Sequence, residues 1–231
     1  YDNLAHAEVL TGWRADGMTH VAALHITLAP GWVTYWRAPG DSGIPPRFTF
    51  AGDSPINSVT PLWPTPEVFG ENGMRSIGYY NSVVVPLIVA LDDPAQDVTL
   101  SGEMMLGVCE EICIPVALSF DAQLPVTGAS DGVIDAALTD RPTAQEAANV
   151  GDVTCRVDQI ADGMRMTSVI DVPRTGKSEH VVVETADPQV WVSEAASTRT
   201  GNTLTATVDM VHTSGQVFAL DRSGVRITVL G

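Results

Sequence analysis

Two residues of this sequence have the type and spacing for redox chemistry. Cys109 and Cys113 stand four apart in the segment Gly107-Val-Cys-Glu-Glu-Ile-Cys-Ile-Pro115, and a thiol pair exchanges two electrons by making or breaking one S–S bond. In a straight strand, residues four apart are separated by about 13 Å, beyond the roughly 7 Å limit for bridged Cα atoms. The pair must therefore flank a turn or one helical turn.

Three uses fit such a pair. As a structural staple it closes a five-residue ring, which the chain-entropy argument values at about 2 kcal/mol, against nearly 5 for a loop of about 100 residues. As a soft-metal site it joins Met104 and Met105 in a set of four sulfurs suited to Cu(I), although strand alternation sends those two methionines to opposite faces. As a redox pair it needs only a partner thiol. Neither a second Cys pair nor Cys/His zinc spacing accompanies it, so the sequence holds no structural zinc motif. Between the cysteines, Glu110 and Glu111 disfavour a neighbouring thiolate and raise the expected cysteine pKa, with no Lys, Arg or His in the motif to oppose them. Exchange would then depend on a partner that brings its own activated thiol.

The elements that must hold this pair read as strands. Short β-rich runs punctuated by Gly and Pro occur at Thr19 to Leu28, Ser82 to Leu91, Asp97 to Met105, Val116 to Leu124 and Gly163 to Val172. Period-2 alternation recurs in Val153, Cys155 and Val157, in Leu204, Ala206 and Val208, and in Val225, Ile227 and Val229. Between Thr127 and Gly151 the composition turns Ala-rich. Asp131 and Thr143 could each cap a short helix there, with Pro142 between them. The expected fold is all-β: two immunoglobulin-like β-sandwich domains, over 1–126 and 151–231, joined by a helical linker over 127–150.

Composition narrows the partners. With 231 residues and 45% hydrophobic content, each domain can bury its own core. The net charge is −16, from 28 acidic against 12 basic residues, and Lys177 is the single lysine, so no basic surface exists for nucleic acid. No apolar run approaches the roughly 20 residues of a spanning helix, and the segment reads as soluble. The third cysteine, Cys155, shares a strand face with Val153 and Val157, as a buried inert thiol does. His6, His20, His25, His180 and His212 are scattered without ligand or triad spacing, and His20 and His25 fall on opposite faces of one strand.

Several stretches together resemble the N-terminal periplasmic domain of the DsbD family, especially its ScsB branch, which is linked to suppression of copper sensitivity. They are Gly31-Trp-Val-Thr-Tyr-Trp-Arg-Ala-Pro-Gly-Asp-Ser-Gly43, Trp63-Pro-Thr-Pro-Glu67, Gly78-Tyr-Tyr80, Val85-Pro86 and Val108 to Pro115. The resemblance implies an immunoglobulin-like redox domain of a transmembrane protein-disulfide reductase, with no cofactor or metal beyond its redox-active disulfide. It would relay electrons from the protein's own membrane domain to thioredoxin-fold periplasmic proteins, ScsC-like or DsbC-like. It implies a periplasmic location, tethered to the inner membrane in the full-length protein. It gives Cys113 the attacking role and Cys109 the resolving one. It also implies an aromatic cap over the pair: Phe69, hinged by Gly70 and Gly73, with Tyr35 and Trp36 on a neighbouring strand. The family's own pair is spaced more widely than here, while ScsB-like chains match the closer spacing. A Cu(I)-binding module for copper tolerance and a non-redox, partner-binding sandwich are the alternatives.

Overall fold

The structure, a computed structural model, describes residues 3–40, 43–51, 55–70, 75–93 and 95–231. Two compact units divide the chain, one of Tyr1–Phe69 and Ser76–Pro142, the other of Gly70–Arg75 and Thr143–Gly231. Strands dominate both, and all their pairings are antiparallel.

Among the described residues the first unit contains ten strands: β1 (Ala5–Asp16), β2 (Thr19–Leu28), β3 (Val33–Gly40), β4 (Arg47–Phe50), β5 (Ile56–Pro61), β6 (Glu67–Phe69), β7 (Ser76–Tyr80), β8 (Ser82–Leu91), β9 (Val98–Cys109) and β10 (Cys113–Leu124). One sheet runs β1-β2-β8-β5; the other runs β10-β9-β3-β7-β6, with β4 also paired to β9. Period-2 patterning explains how they form a sandwich. On β2, Ala22, Leu24, Ile26 and Leu28 are buried; on β9, Val98, Leu100, Met104, Leu106 and Val108 are. Thr99, Ser101, Glu103, Met105, Gly107 and Cys109 alternate with that β9 series and so line the other face of their sheet. Two of the distinctive sequence stretches serve packing: Trp63 stacks on Tyr79 at 6.4 Å between ring centroids, and the Tyr79 hydroxyl donates to the Pro64 carbonyl.

After β10 the chain forms the helix α1 (Gly132–Thr139). The Asp131 carboxylate caps it by accepting from the Val133 amide at 2.8 Å, a bond of the kind that contributes about 1 kcal/mol. Ile134 is fully buried against Val21 and Ala23, which gives β2 a second covered face. This segment is thus docked on the first unit. The second expected helix is absent. Over Thr143–Val150 there is a single turn, in which the Ala148 amide donates to the Ala144 carbonyl and which ends where Asn149 takes φ 52°; no residue of this stretch is buried, so it lacks the packing that anchors α1 and offsets nucleation.

The second unit contains β11 (Val153–Ile160), β12 (Gly163–Asp171), β13 (His180–Glu184), β14 (Val190–Val192), β15 (Ala196–Thr200), β16 (Thr203–His212) and β17 (Arg226–Leu230). One sheet runs β11-β12-β16-β14, with β15 also paired to β16; β13 and β17 form the second. Met166, Ile170, Leu204, Ala206, Val208 and Met210 supply one side of its core, and Val181 and Val183 join them from β13. Glu179 and Arg199 form a buried ion pair here, and the Arg199 guanidinium also donates to the Val172 carbonyl. Cys155 departs from expectation. It faces the same side as Val153 and Val157, but β11 is an edge strand, so the thiol is only half-buried, 3.5 Å from the Ser168 hydroxyl.

Candidate active site

Cys109 ends β9 and Cys113 begins β10, and they sit directly opposite each other in the antiparallel register. The intervening Glu110, Glu111 and Ile112 form a three-residue hairpin loop, closed by the Glu110 amide donating to the Ile112 carbonyl at 3.2 Å. This turn brings the Cα atoms to 4.2 Å, and the sulfurs are joined as a disulfide. The two ends of the bond live in different surroundings: Cys109 is 3% exposed, whereas Cys113 is open to solvent.

Register explains what buries Cys109. Val33 of β3 stands opposite it, so Tyr35, two residues on, shares its face of the sheet. The Tyr35 hydroxyl donates to Cys109 Sγ at 3.0 Å and lies 3.3 Å from Cys113 Sγ. Tyr35 is itself buried. Burial pushes its phenol above the ordinary value while the Ser76 hydroxyl pulls the other way, so the group is held as a proton-bearing donor. Ile44 and Phe69 pack against the cluster of Val33, Tyr35 and Cys109.

Two glycines make this cover possible. A Cβ on Gly107 would lie 2.7 Å from the Ile44 Cβ, and one on Gly43 would lie 2.7 Å from the Tyr35 ring. Both positions need the space. Ile44, Ser76, Gly43 and Gly107 were not expected at the site, although Gly43 and Gly107 stand within or beside the distinctive motifs, where a glycine signals close approach.

The other expected residues are distributed as follows. Phe69 ends β6, opposite Ser76, and its ring lies 4.9 Å from that of Tyr80, so it is both at the Cys109 cluster and in an aromatic pair. Of its proposed hinges, Gly70 has φ 133°, a backbone that suits glycine, and Gly73 lies outside the described residues. Trp36 is not brought to the cysteines. It follows Tyr35 on the strand, points to the opposite face and is completely buried, with the Arg37 guanidinium 4.0 Å above its ring. Glu110 and Glu111 are exposed at the hairpin tip. Met104 is buried in the core while Met105 is exposed on the other face, so the four sulfurs do not converge. Among the described residues, no group of three or more His, Cys, Asp or Glu side chains is placed to hold a metal, and no helix is long and apolar enough to cross a membrane.

Such an arrangement can do one kind of chemistry directly. An incoming thiolate can reach Cys113 Sγ, and the sulfur it displaces, Cys109, departs toward a hydroxyl donor.

The N-terminal periplasmic domain of ScsB from Proteus mirabilis has a similar crystal structure, with a TM-score of 0.68 at 20% identity, covering 98% of this chain and 86% of that one. A search of curated proteins found no match. Residues 6–125, more than half of the sequence and both cysteines with it, match the family described as "Thiol:disulfide interchange protein DsbD, N-terminal". By that match, the chain belongs to the DsbD N-terminal domain family.

Proposed function

We propose that this chain is a periplasmic thiol-disulfide exchange domain, part of a transmembrane disulfide reductase, which passes electrons to thioredoxin-fold partners of ScsC-like or DsbC-like type. The observation that carries this reading is the asymmetry of the pair. One sulfur is accessible to a nucleophile, and the other is buried against a hydrogen-bond donor. A staple has no use for that asymmetry.

In the direction of reduction, a partner thiolate attacks Cys113 Sγ. The new S–S bond forms as the Cys109–Cys113 bond breaks, and the electron pair leaves on Cys109, where Tyr35 donates to it. The partner's second thiol, as its thiolate, then attacks the partner sulfur of the mixed disulfide and releases Cys113. Two electrons and two protons have moved, the partner is oxidised, and no bound cofactor takes part. Delivery to a client reverses these steps.

The test is trapping. With the Cys109→Ala variant, a mixed disulfide with a thioredoxin-fold protein accumulates at Cys113 because the resolving thiol is missing; with Cys113→Ala it does not form. Trapping by the Cys113→Ala variant alone would reverse the roles. A disulfide that resists equilibration with a dithiol buffer in the intact chain would reduce it to a staple.

A further inference from the structure

One row of outward-facing positions crosses four strands at the disulfide end of the sheet. Tyr80 of β7 pairs with Val33 of β3, Val33 pairs with Cys109 of β9, and Cys109 pairs with Cys113 of β10. At about 4.8 Å between neighbouring strands, Tyr80 stands roughly 14 Å from Cys113. Both ends of the row carry apolar surface open to solvent. Tyr80 is 42% exposed at one end, and beyond Cys113 the hairpin tip lifts Ile112, at 65%, into water. The tip is not a loose loop. Its three residues are closed by their own backbone hydrogen bond and seated on a ladder of two twelve-residue strands, so Ile112 is displayed at a fixed place beside the exposed sulfur.

The charge at this tip has one sign. Glu110 and Glu111 are exposed next to Ile112, and the nearest cation identified by register, Arg47, stands opposite Met105, four residues back along β9. The chain as a whole carries −16. An apolar residue beside the reacting atom and an acidic rim around it set what docks well: a surface that covers Ile112 and neutralises the two carboxylates.

We propose that the hairpin tip is a selective docking surface for protein thiols that lie in an apolar groove with a basic rim. This rests on the exchange reaction proposed above and names its substrate class. The selection has a chemical advantage, since the same cations that pair with Glu110 and Glu111 also favour the thiolate form of the incoming cysteine. Partners with acidic surroundings would be slowed at encounter, before any bond changes.

The experiment uses the whole oxidised chain and two synthetic Cys-x-x-Cys dithiol peptides. They are identical except that one carries Lys and Leu flanks and the other Glu and Leu flanks; uncharged dithiothreitol is the third reductant. The wild-type chain should be reduced about tenfold faster by the Lys peptide than by the Glu peptide at low salt, a preference that shrinks as salt is added. Glu110→Gln with Glu111→Gln should collapse that preference, which separates docking from any difference in intrinsic thiol reactivity. Ile112→Ser should lower the ratio of Lys-peptide rate to dithiothreitol rate several-fold. A peptide preference that is the same in the Gln variant as in the wild type, or an Ile112→Ser ratio equal to the wild type, would overturn the docking proposal while normal reduction by dithiothreitol left the exchange reaction standing. A pair that dithiothreitol cannot reduce would overturn both.

Discussion

Replacing Tyr35 by Phe keeps the ring packed beside Val33 and removes only the hydroxyl that donates to Cys109 Sγ at 3.0 Å. A disulfide sulfur is a weak acceptor and a thiolate a charged one, so this bond strengthens as Cys109 departs. Hydrogen bonds to charged groups contribute about 1.5–3 kcal/mol. If about half of the charge has reached Cys109 at the transition state, loss of the hydroxyl adds about 0.75–1.5 kcal/mol to the barrier, a slowing of roughly 4- to 13-fold. The assay is stopped-flow reduction of the oxidised chain by dithiothreitol, a reductant small enough that partner docking plays no part. Thermal unfolding of the same variant serves as a control for the fold. An unchanged rate in a normally folded variant would refute the argument: the 3.0 Å contact would then be a feature of the resting disulfide with no share in the reaction.

Gly107→Ala places a methyl 2.7 Å from the Ile44 Cβ, an overpacking that should lower stability in chemical denaturation by about 1–3 kcal/mol and, by pushing Ile44 off the cluster, speed reduction of the disulfide; no change in either would mean the 43–46 segment yields freely. In the second unit, the Arg199 guanidinium beside Glu179 holds its carboxyl down to about 2, from an ordinary 4.5. A depressed folded-state value stabilises above the unfolded value and is lost as pH falls through the folded one. Stability measured by denaturant should therefore decline between about pH 4.5 and 2, and Glu179→Gln should flatten that decline while costing about 3–5 kcal/mol near neutrality.

Much of the fold was legible because alternation is a local property. Thr19–Leu28 and Ser82–Leu91 are strands with the bounds their patterns mark, and the apolar even-numbered positions of β9 already identify the core face. The same parity puts Cys109 on the outer face with Glu103 and Met105, a conclusion available from the residues alone. Parity also separates Trp36 from Tyr35, which shared motif membership had grouped together. What one sequence does not carry is strand order. The half-exposure of Cys155 follows from β11 being an edge, and the cover of Cys109 by Ile44 follows from β3 and β4 both lying along β9. An Ala-rich composition at Thr143–Val150 was a poor guide for another reason: propensity is a weak preference, and no residue there is buried, whereas the equally long α1 is anchored by buried Ile134 and Ala137.

The position of the disulfide on the outside of its sheet has a thermodynamic consequence. Folding and reduction form a closed cycle, in which any stability difference between oxidised and reduced chains equals the shift in reduction potential relative to the same pair in the unfolded chain. The buried side of β9 contributes Val98, Leu100, Met104, Leu106 and Val108 to the core and no sulfur of the pair, so the core is common to both oxidation states and cancels around the cycle. The remaining contributions are few and local: the Tyr35 hydroxyl, the packing of Ile44 and Phe69, the charges of Glu110 and Glu111, and the short ring that the bond closes. The potential is therefore adjustable at a handful of positions beside the pair, and the inner-face residues of β9 are not among them.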